Sequence, residues 1–210
     1  MRYQEVLPTL RAYYDNTAAE RDEVEVTPWK AKERDVFLEL LGERQAHTLL
    51  ELGSGPGRDG TFFRDHGLRV TCTDLSPAMV ARCRARGLEA HVMDFLHLDF
   101  PGRTFDAVYA LNSLLHVPKA DLPAVLDRVR ALMNPGGLFY LGVYGGNDFE
   151  GVWPDDRHEP KRFFAYYRDR DLLERVMTNF VLVYFRQVAV STERDTGFHF
   201  QSFVLRRAPS

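Results

Sequence analysis

The chain has 210 residues, of which 45% are hydrophobic and 27% are charged, as in globular domains with a substantial core. The formal net charge of −3 argues against a basic nucleic-acid-binding domain, and two cysteines are too few for a disulfide framework. No apolar run reaches the roughly 18 residues of a membrane span, and the first residues lack the apolar centre of a signal peptide. We therefore expect a cytoplasmic protein without a membrane partner.

After residue 26 the sequence alternates between amphipathic helices and short apolar strands. Thr27 and the proline behind it predict a helix start, because proline suits the first helical position. Ser76 and Asp121 are typical helix-capping residues and predict two further starts. The strands predicted around these helices are HTLLELG, LRVTCTDL, LEAHVMDF, FDAVYALN and LFYLGVY.

Two longer strands, FVLVYFRQVAV and HFQSFVLRR, follow the last predicted helix. Only eight residues, STERDTGF, join them, which is too short for a crossover helix and predicts an antiparallel hairpin. Strands separated by helices predict right-handed crossovers and a parallel sheet with helices on both faces. The expected fold is therefore one α/β domain over residues 1–210, with a seven-stranded, mostly parallel sheet and one antiparallel strand in the final hairpin.

The stretch LLELGSGPGRDG, residues 49–60, leads a strand directly into a glycine-rich turn. Such a turn presents backbone N–H groups to a ligand, and the missing side chains allow a close approach. A dinucleotide-binding loop requires glycine or alanine where this chain has Arg58, and the Gly-Lys-Ser/Thr of a phosphate-binding loop does not occur. With these two loop types excluded, the stretch has a Gly-x-Gly-x-Gly pattern that begins at Gly53, two residues after the acidic Glu51.

Five segments between Leu49 and Arg207 resemble, in their order, the class I S-adenosylmethionine-dependent methyltransferases that act on small molecules. These segments are LLELGSGPG, VTCTDLSPAMV, HVMDF, FDAVYALNSLLHV and VLDRVRALMNPGGLFYLGVY. The resemblance implies a Rossmann-like fold with a reversed final strand, in agreement with the predicted hairpin. It also implies S-adenosylmethionine as the cofactor and S-adenosylhomocysteine as the product.

The resemblance places this cofactor against the glycine loop and the strand ends beside it. Asp74 ends the second predicted strand, where a carboxylate can accept both ribose hydroxyls; a helix-capping role is the alternative. Leu75 and Met79 would flank the adenine and Asp94 would accept its amino hydrogen, although these residues also suit core or turn positions. The predicted cofactor-binding residues are Tyr14, Glu51, Gly53, Ser54, Gly55, Gly57, Asp74, Leu75, Met79, Asp94, Phe95, Leu111 and Asn112.

Candidate catalytic residues follow the fourth predicted strand, where open α/β sheets bind their ligands. His116 titrates near neutrality and is a candidate base or substrate-orienting group, while a loop histidine bonded to the backbone is the alternative. Asn112 and Tyr144, at the ends of two neighbouring strands, are further candidates. ALNS replaces the Asn-Pro-Pro-aromatic turn of nucleic-acid base methyltransferases, and no carboxylate cluster lies nearby. We therefore predict no metal ion.

Two segments outside the regular pattern are expected to form the acceptor pocket. Residues 1–26 are interpreted as a lid over the cofactor or as a helix resting on the sheet. Residues 145–168 form an insertion whose aromatic and cationic side chains suit a flat or acidic acceptor, or cover an exposed edge. We expect in-line methyl transfer to O or N of a small-molecule acceptor. A tRNA or protein acceptor and a cofactor-binding sensor without activity stay open, and the oligomeric state is not predicted.

Overall fold

The computed structural model describes residues 1–154, 156–190 and 197–208. The helices are α1 (Tyr3–Asn16), α2 (Ala18–Glu23), α3 (Pro28–Glu43), α4 (Arg58–Asp65), α5 (Pro77–Ala85), α6 (Leu122–Leu132) and α7 (Asp169–Val176). The strands are β1 (Thr48–Leu52), β2 (Arg69–Asp74), β3 (Glu89–Val92), β4 (Phe105–Leu111), β5 (Met133–Gly145), β6 (Phe149–Val152), β7 (Phe163–Tyr166), β8 (Phe180–Ala189) and β9 (His199–Arg207). None of the helices within these ranges is long and apolar enough to cross a membrane.

Seven strands form one sheet in the order β3-β2-β1-β4-β5-β9-β8. Strands β1 to β5 pair in parallel, whereas β9 pairs antiparallel with both β5 and β8. The predicted mostly parallel sheet and its reversed strand are confirmed. The antiparallel pairing of β8 with β9 agrees with the predicted hairpin, although residues 191–196 of the predicted connection lie outside the described residues.

Apolar side chains alternate across the sheet, so that each face has its own buried core. On one face Leu49 packs with Phe37 of α3 and Phe63 of α4. On the opposite face the next residue, Leu50, packs in a core that includes Leu126 of α6. Successive side chains of a strand point to opposite faces, and both faces are therefore covered by helices, as predicted.

Helix α3 faces the sheet with residues spaced by four, and one of them is a carboxylate. Phe37 and Leu41 are buried, and so is Glu33 on the same face. Glu33 accepts hydrogen bonds from the Tyr184 hydroxyl and the Arg186 guanidinium, each at 3.2 Å. These two hydrogen bonds hold the first half of α3 and fix its start beside the carboxyl ends of the strands.

Helix α1 is tied down at both ends by carboxylates. At its start, Asp121 accepts from the Tyr3 backbone N–H at 2.8 Å and from the Arg2 guanidinium at 3.0 Å. Asp121 was predicted to cap α6, but its side chain makes no capping bond there. At the other end, Asp15 accepts from the Ser76 hydroxyl and from the Ala78 N–H at the start of α5. The N-terminal segment is thereby held across the sheet edge.

The segment between β5 and α7 contains an antiparallel pair of strands, β6 and β7, that the sequence pattern did not predict. Phe163 and its neighbour Phe164 are buried against the turn at residues 114–116. Asp156 holds the Arg162 guanidinium through two oxygens at 2.8 and 2.9 Å. This segment therefore packs beside the end of β4 and does not project from the fold.

Candidate functional site

A cavity of about 190 Å³ lies at the carboxyl ends of β1, β2 and β4, beneath α1. This is the edge where parallel α/β sheets bind ligands. Its walls are Tyr3, Leu10, Tyr14, Arg21, Lys30, Glu51, Gly53, Ser54, Gly55, Pro56, Arg58, Asp59, Asp74, Leu75, Met93, Phe95, Leu111, Asn112, Ser113 and His116.

Most of the residues predicted from the sequence line this cavity. They are Tyr14, Glu51, Gly53, Ser54, Gly55, Asp74, Leu75, Phe95, Leu111, Asn112 and His116. Their convergence comes from the topology, because the strands that carry them are neighbours in the sheet and end at the same edge.

Four predicted residues do not line the cavity, and each has another contact. Gly57 packs against Cys83 and Leu88, and the buried Met79 lies within α5. Asp94 accepts hydrogen bonds from the backbone and the imidazole of His97. Tyr144 stacks on Phe198 with ring centres 5.7 Å apart.

The glycine loop combines two kinds of constraint. Gly53 and Gly55 both have positive φ, +67° and +54°, a conformation that side chains with a Cβ disfavour. A Cβ at Gly53 would lie 2.4 Å from Cβ of Ser113, whereas a Cβ at Gly55 meets no heavy atom within 4 Å. Gly53 therefore permits close packing of β1 against the end of β4, and Gly55 leaves open space on the cavity wall.

We expect Gly53→Ala to destabilise the fold by about 2–3 kcal/mol, since backbone strain and the clash with Ser113 add. Gly55→Ala should cost only about 1 kcal/mol of strain, but its methyl group should weaken cofactor binding. Gly102→Ala is the matched control, because Gly102 also has positive φ and open surroundings but does not line the cavity. Urea unfolding and calorimetric titration measure the two effects, and equal destabilisation by Gly53→Ala and Gly102→Ala would contradict this interpretation.

Asp74 is buried between the glycine loop and the start of α5. One carboxylate oxygen accepts from the Gly55 N–H at 2.8 Å, and the other accepts from the Ser76 N–H at 2.9 Å. Burial raises the pKa of Asp74 to about 6, although these two hydrogen bonds favour the charged form. The carboxylate thus orders the loop and also forms part of the cavity wall, where it can accept further hydrogen bonds.

Glu51 is buried at the end of β1, with one carboxyl oxygen 3.5 Å from the Cys72 sulfur. Burial, followed by the negative charge of Asp59, raises the pKa of Glu51 well above its usual range. This shift favours a protonated carboxyl, which can donate as well as accept a hydrogen bond at the cavity wall.

His116 and Tyr14 form a buried hydrogen-bonded chain that joins α1 to β7. His116 Nδ1 lies 2.7 Å from the carbonyl oxygen of Phe163, and Nε2 lies 2.6 Å from the Tyr14 hydroxyl. Burial lowers the pKa of His116 to about 3, and the charges of Arg162 and Arg21 act in the same direction. His116 is therefore neutral, with Nδ1–H donating to Phe163 and Nε2 accepting from Tyr14.

Two polar atoms at the end of β4 have no hydrogen-bond partner within the described part of the chain. These are Oδ1 of Asn112 and the hydroxyl of Ser113, and both are buried. Asn112 has a φ of +53°, and its backbone N–H donates to Gly142 at 2.7 Å. Unpaired buried polar groups are rare, and here they lie where a ligand can pair with them.

Sequence reasoning missed part of the cavity wall. The missed residues are Tyr3, Leu10, Arg21, Lys30, Pro56, Arg58, Asp59 and Met93. Pro56, Arg58 and Asp59 lie within the glycine loop or directly behind it, so the loop itself was a usable signal. No periodic pattern marks Arg21 or Lys30, because their positions depend on how α2 and α3 pack.

The described ranges contain no group of three or more histidine, cysteine, aspartate or glutamate residues arranged to hold a metal ion. The polar atoms of the cavity wall are instead hydroxyls, amides, cations and separated carboxyls.

Residues 49–137 match a family model described as a methyltransferase domain. The chain is 34% identical over 125 residues to a malonyl-acyl-carrier-protein O-methyltransferase of Serratia marcescens, a match that covers 57% of this chain and 48% of that enzyme. It is 31% identical over 115 residues to a sterol 24-C-methyltransferase of Gibberella zeae, covering 50% of this chain and 29% of the relative. The chain thus spans about half the length, or less, of these curated relatives.

Solved structures of methyltransferases have the same fold. The 1,6-didemethyltoxoflavin-N1-methyltransferase of Burkholderia thailandensis, with bound 1,6-didemethyltoxoflavin and S-adenosylhomocysteine, superposes with a TM-score of 0.75 at 22% identity, over 99% of this chain and 91% of that one. The N-methyltransferase NodS of Bradyrhizobium japonicum, in complex with S-adenosylhomocysteine, superposes with a TM-score of 0.71 at 16% identity. This superposition covers 95% of this chain and 98% of NodS. The predicted Rossmann-like fold and the resemblance to this family are confirmed.

Proposed function

We propose that this chain transfers a methyl group from S-adenosylmethionine to O or N of a small-molecule acceptor. Residues 49–137 match a methyltransferase-domain model, and the fold is that of solved methyltransferases with bound S-adenosylhomocysteine. The buried Asp74 carboxylate beside the open face of Gly55 carries the proposal. It offers acceptor oxygens to the ribose hydroxyls at the place where the glycine loop leaves room for a ligand. Relatives named for sterol and for 1,6-didemethyltoxoflavin support a small acceptor. A cytoplasmic location is part of the proposal.

The cavity wall suits each part of this cofactor. Leu75, Met93 and Phe95 provide apolar surface beside Asp74 for the adenine. The unpaired groups of Asn112 and Ser113 are available to its polar end. The cofactor supplies the activated methyl group as a sulfonium, so the protein has to position the reactants and exclude water.

We assign the Tyr14 hydroxyl a positioning role at the reacting groups. The Tyr14 hydroxyl donates a hydrogen bond to Nε2 of neutral His116, which fixes the direction of the hydroxyl. Because the pKa of His116 is about 3, its nitrogen is a weak base, and its bonds to Phe163 and Tyr14 suit orientation better than proton abstraction. Asn112, at the end of β4, is the second candidate for orienting the acceptor. Tyr144 lies outside the cavity wall and is assigned no catalytic role.

We further propose that residues 1–26 act as the lid and that residues 145–168 shape the acceptor pocket, within one domain of residues 1–210. The Tyr14–His116–Phe163 chain joins the two segments above the cavity. Tyr13 adds a second contact, since the Arg162 guanidinium lies 4.6 Å from its ring centre. Tyr14 of the first segment lines the cavity, and the insertion supports it from outside the wall through these two contacts.

The proposed function is tested by adding S-adenosylmethionine to the purified protein. A ligand present at a concentration of a hundred times its Kd stabilises the folded protein by about 2.7 kcal/mol. The melting temperature should therefore rise by about 5–10 °C. Labelled methyl groups should then enter the small-molecule filtrate of a cell extract. No thermal shift would contradict the proposal, label in RNA or protein would favour a macromolecular acceptor, and binding without transfer would favour a sensor.

In the same assay Tyr14→Phe should lower kcat about tenfold while the cofactor affinity stays within about twofold, because one orienting hydroxyl is lost and the helix packing is kept. Tyr140→Phe is the matched control, since it also removes a hydrogen-bonded hydroxyl from a buried tyrosine, but at a position that does not line the cavity. Similar kcat values for the two variants would exclude the positioning role of Tyr14.

A further inference from the structure

Three cationic side chains, one from each of three helices, line the same cavity. Arg21 lies on α2, Lys30 on α3 and Arg58 at the start of α4. Among the residues that the structure describes, no carboxylate lies within ion-pairing distance of any of the three. We call Arg21, Lys30 and Arg58 the cation group.

The nearby acidic residue and the other candidate cation already have partners. Asp59 of the cavity wall forms an ion pair with Arg34 at 2.8 Å. Arg162 of the insertion, which the sequence suggested for an acidic acceptor, is held by Asp156 at 2.8 Å. The capacity to bind an anion therefore lies with the cation group, and not with the insertion.

The cation group is assembled at an electrostatic cost. Burial lowers the pKa of Lys30, the charge of Asp59 opposes this shift, and the charges of Arg21 and Arg58 add to it. Nε of Arg21 is buried without a hydrogen-bond partner in the described structure. An anion that binds between these side chains reduces the repulsion of their like charges and can pair with the unpaired donor.

An aromatic surface lies directly beside Lys30. The Lys30 ammonium is 5.4 Å from the ring centre of Trp29 and 6.0 Å from that of Tyr144. Trp29 also packs on Phe200 at 4.6 Å, which fixes the position of its ring. A planar group that enters beside Lys30 meets these rings, and an anionic substituent on it meets the cation group.

Resting on the proposed function, we propose that Arg21, Lys30 and Arg58 bind an anionic group of the methyl acceptor, next to the aromatic surface of Trp29 and Tyr144. The acceptor is thus a planar molecule with a carboxylate or phosphate. The competing source of an anion is the carboxylate of the cofactor itself, and the experiment has to separate the two.

The test uses protein saturated with S-adenosylhomocysteine, so that the cofactor carboxylate is already in place. Benzoate and benzamide then serve as probes of equal shape and different charge, and titration calorimetry measures both affinities. We expect benzoate to bind at least about tenfold more tightly than benzamide. Lys30→Gln and Arg58→Gln should each reduce this ratio below about threefold, whereas Lys32→Gln, an exposed position on the same helix, should keep it.

Three results would overturn the inference. Equal affinity for benzoate and benzamide in the saturated protein shows that no anion site remains for the acceptor. A tenfold loss of S-adenosylhomocysteine affinity in Lys30→Gln, with unchanged affinity for 5′-methylthioadenosine, which lacks the carboxylate, assigns the group to the cofactor. Failure of the wild-type protein to bind S-adenosylhomocysteine refutes the proposed function, and the inference with it.

Discussion

Asp74→Ala is expected to weaken binding of S-adenosylmethionine by a factor of about ten to a hundred. The reason is that hydrogen bonds to a charged group contribute about 1.5–3 kcal/mol, and Asp74 offers the buried carboxylate at this part of the cavity wall. The variant also loses the bond that orders the Gly55 N–H, which acts in the same direction. Titration calorimetry with S-adenosylhomocysteine measures the change.

The control for this experiment is Asp65→Ala, which removes a carboxylate of α4 that is 58% exposed and pairs with its neighbour Arg64. Such surface pairs contribute little, so the affinity of this variant should equal that of the wild type. Circular dichroism of Asp74→Ala has to show a folded protein. A folded variant with unchanged affinity would remove Asp74 from the cofactor site.

The same residue predicts how cofactor binding depends on pH. Because burial raises the pKa of Asp74 to about 6, the carboxyl of the cofactor-free protein becomes protonated as the pH falls below 6. A protonated carboxyl accepts fewer hydrogen bonds, so binding must first remove the proton. Affinity should be constant above pH 7 and fall by up to about tenfold per pH unit below 6. Asp74→Asn should lack this dependence.

The sequence predicted the strands of the sheet and their mostly parallel pairing well, because both follow from patterns that are local along the chain. Ser76 caps α5 as expected, with its hydroxyl accepting from the Met79 N–H at 3.1 Å. Asp74 and Asn112 meet at one sheet edge because strand ends in a parallel sheet coincide. Local signals of this kind, one topological rule and the resemblance to methyltransferases together predicted a little over half of the residues that line the cavity.

Contacts between distant segments could not be predicted in this way. Asp121 looks like the cap of α6, but its carboxylate binds the start of α1, 118 residues earlier. The β6–β7 pair was missed since its aromatic and charged residues do not alternate as a half-buried strand does. Lys30 lies on a helix whose pattern shows only which side packs on the sheet, so its place in the cavity depended on the tertiary structure.

His116→Gln is expected to make the protein more resistant to acid relative to wild type. The pKa of His116 is about 3 in the folded chain and near its ordinary value of 6.5 when unfolded. The unfolded state therefore binds more protons between these values, and His116 lowers the free energy of unfolding by up to about 1.4 kcal/mol per pH unit as the pH falls below 6.5. Glutamine does not titrate, so the His116→Gln variant does not lose this free energy of unfolding as the pH falls.

Asp74 has the opposite effect on the free energy of unfolding over part of the same pH range. Its pKa is about 6 when folded and near 3.9 when unfolded, so the folded state binds the additional proton and gains stability as the pH falls from 6 to about 4. The two groups offset each other in the wild type. In a single variant the remaining group acts alone, so Asp74→Asn should be more sensitive to acid in the range where His116→Gln is more resistant.

Urea unfolding at pH 8, 6, 5 and 4.5 checks both expectations, because groups common to all variants cancel in the differences. At pH 8 His116→Gln should be less stable than wild type by about 1–2 kcal/mol, since the bonds to Tyr14 and Phe163 are weakened. This deficit should shrink by about 1 kcal/mol per pH unit below 6.5. A deficit of His116→Gln that stays constant down to pH 4.5 would show that His116 is not the buried neutral group that orients Tyr14.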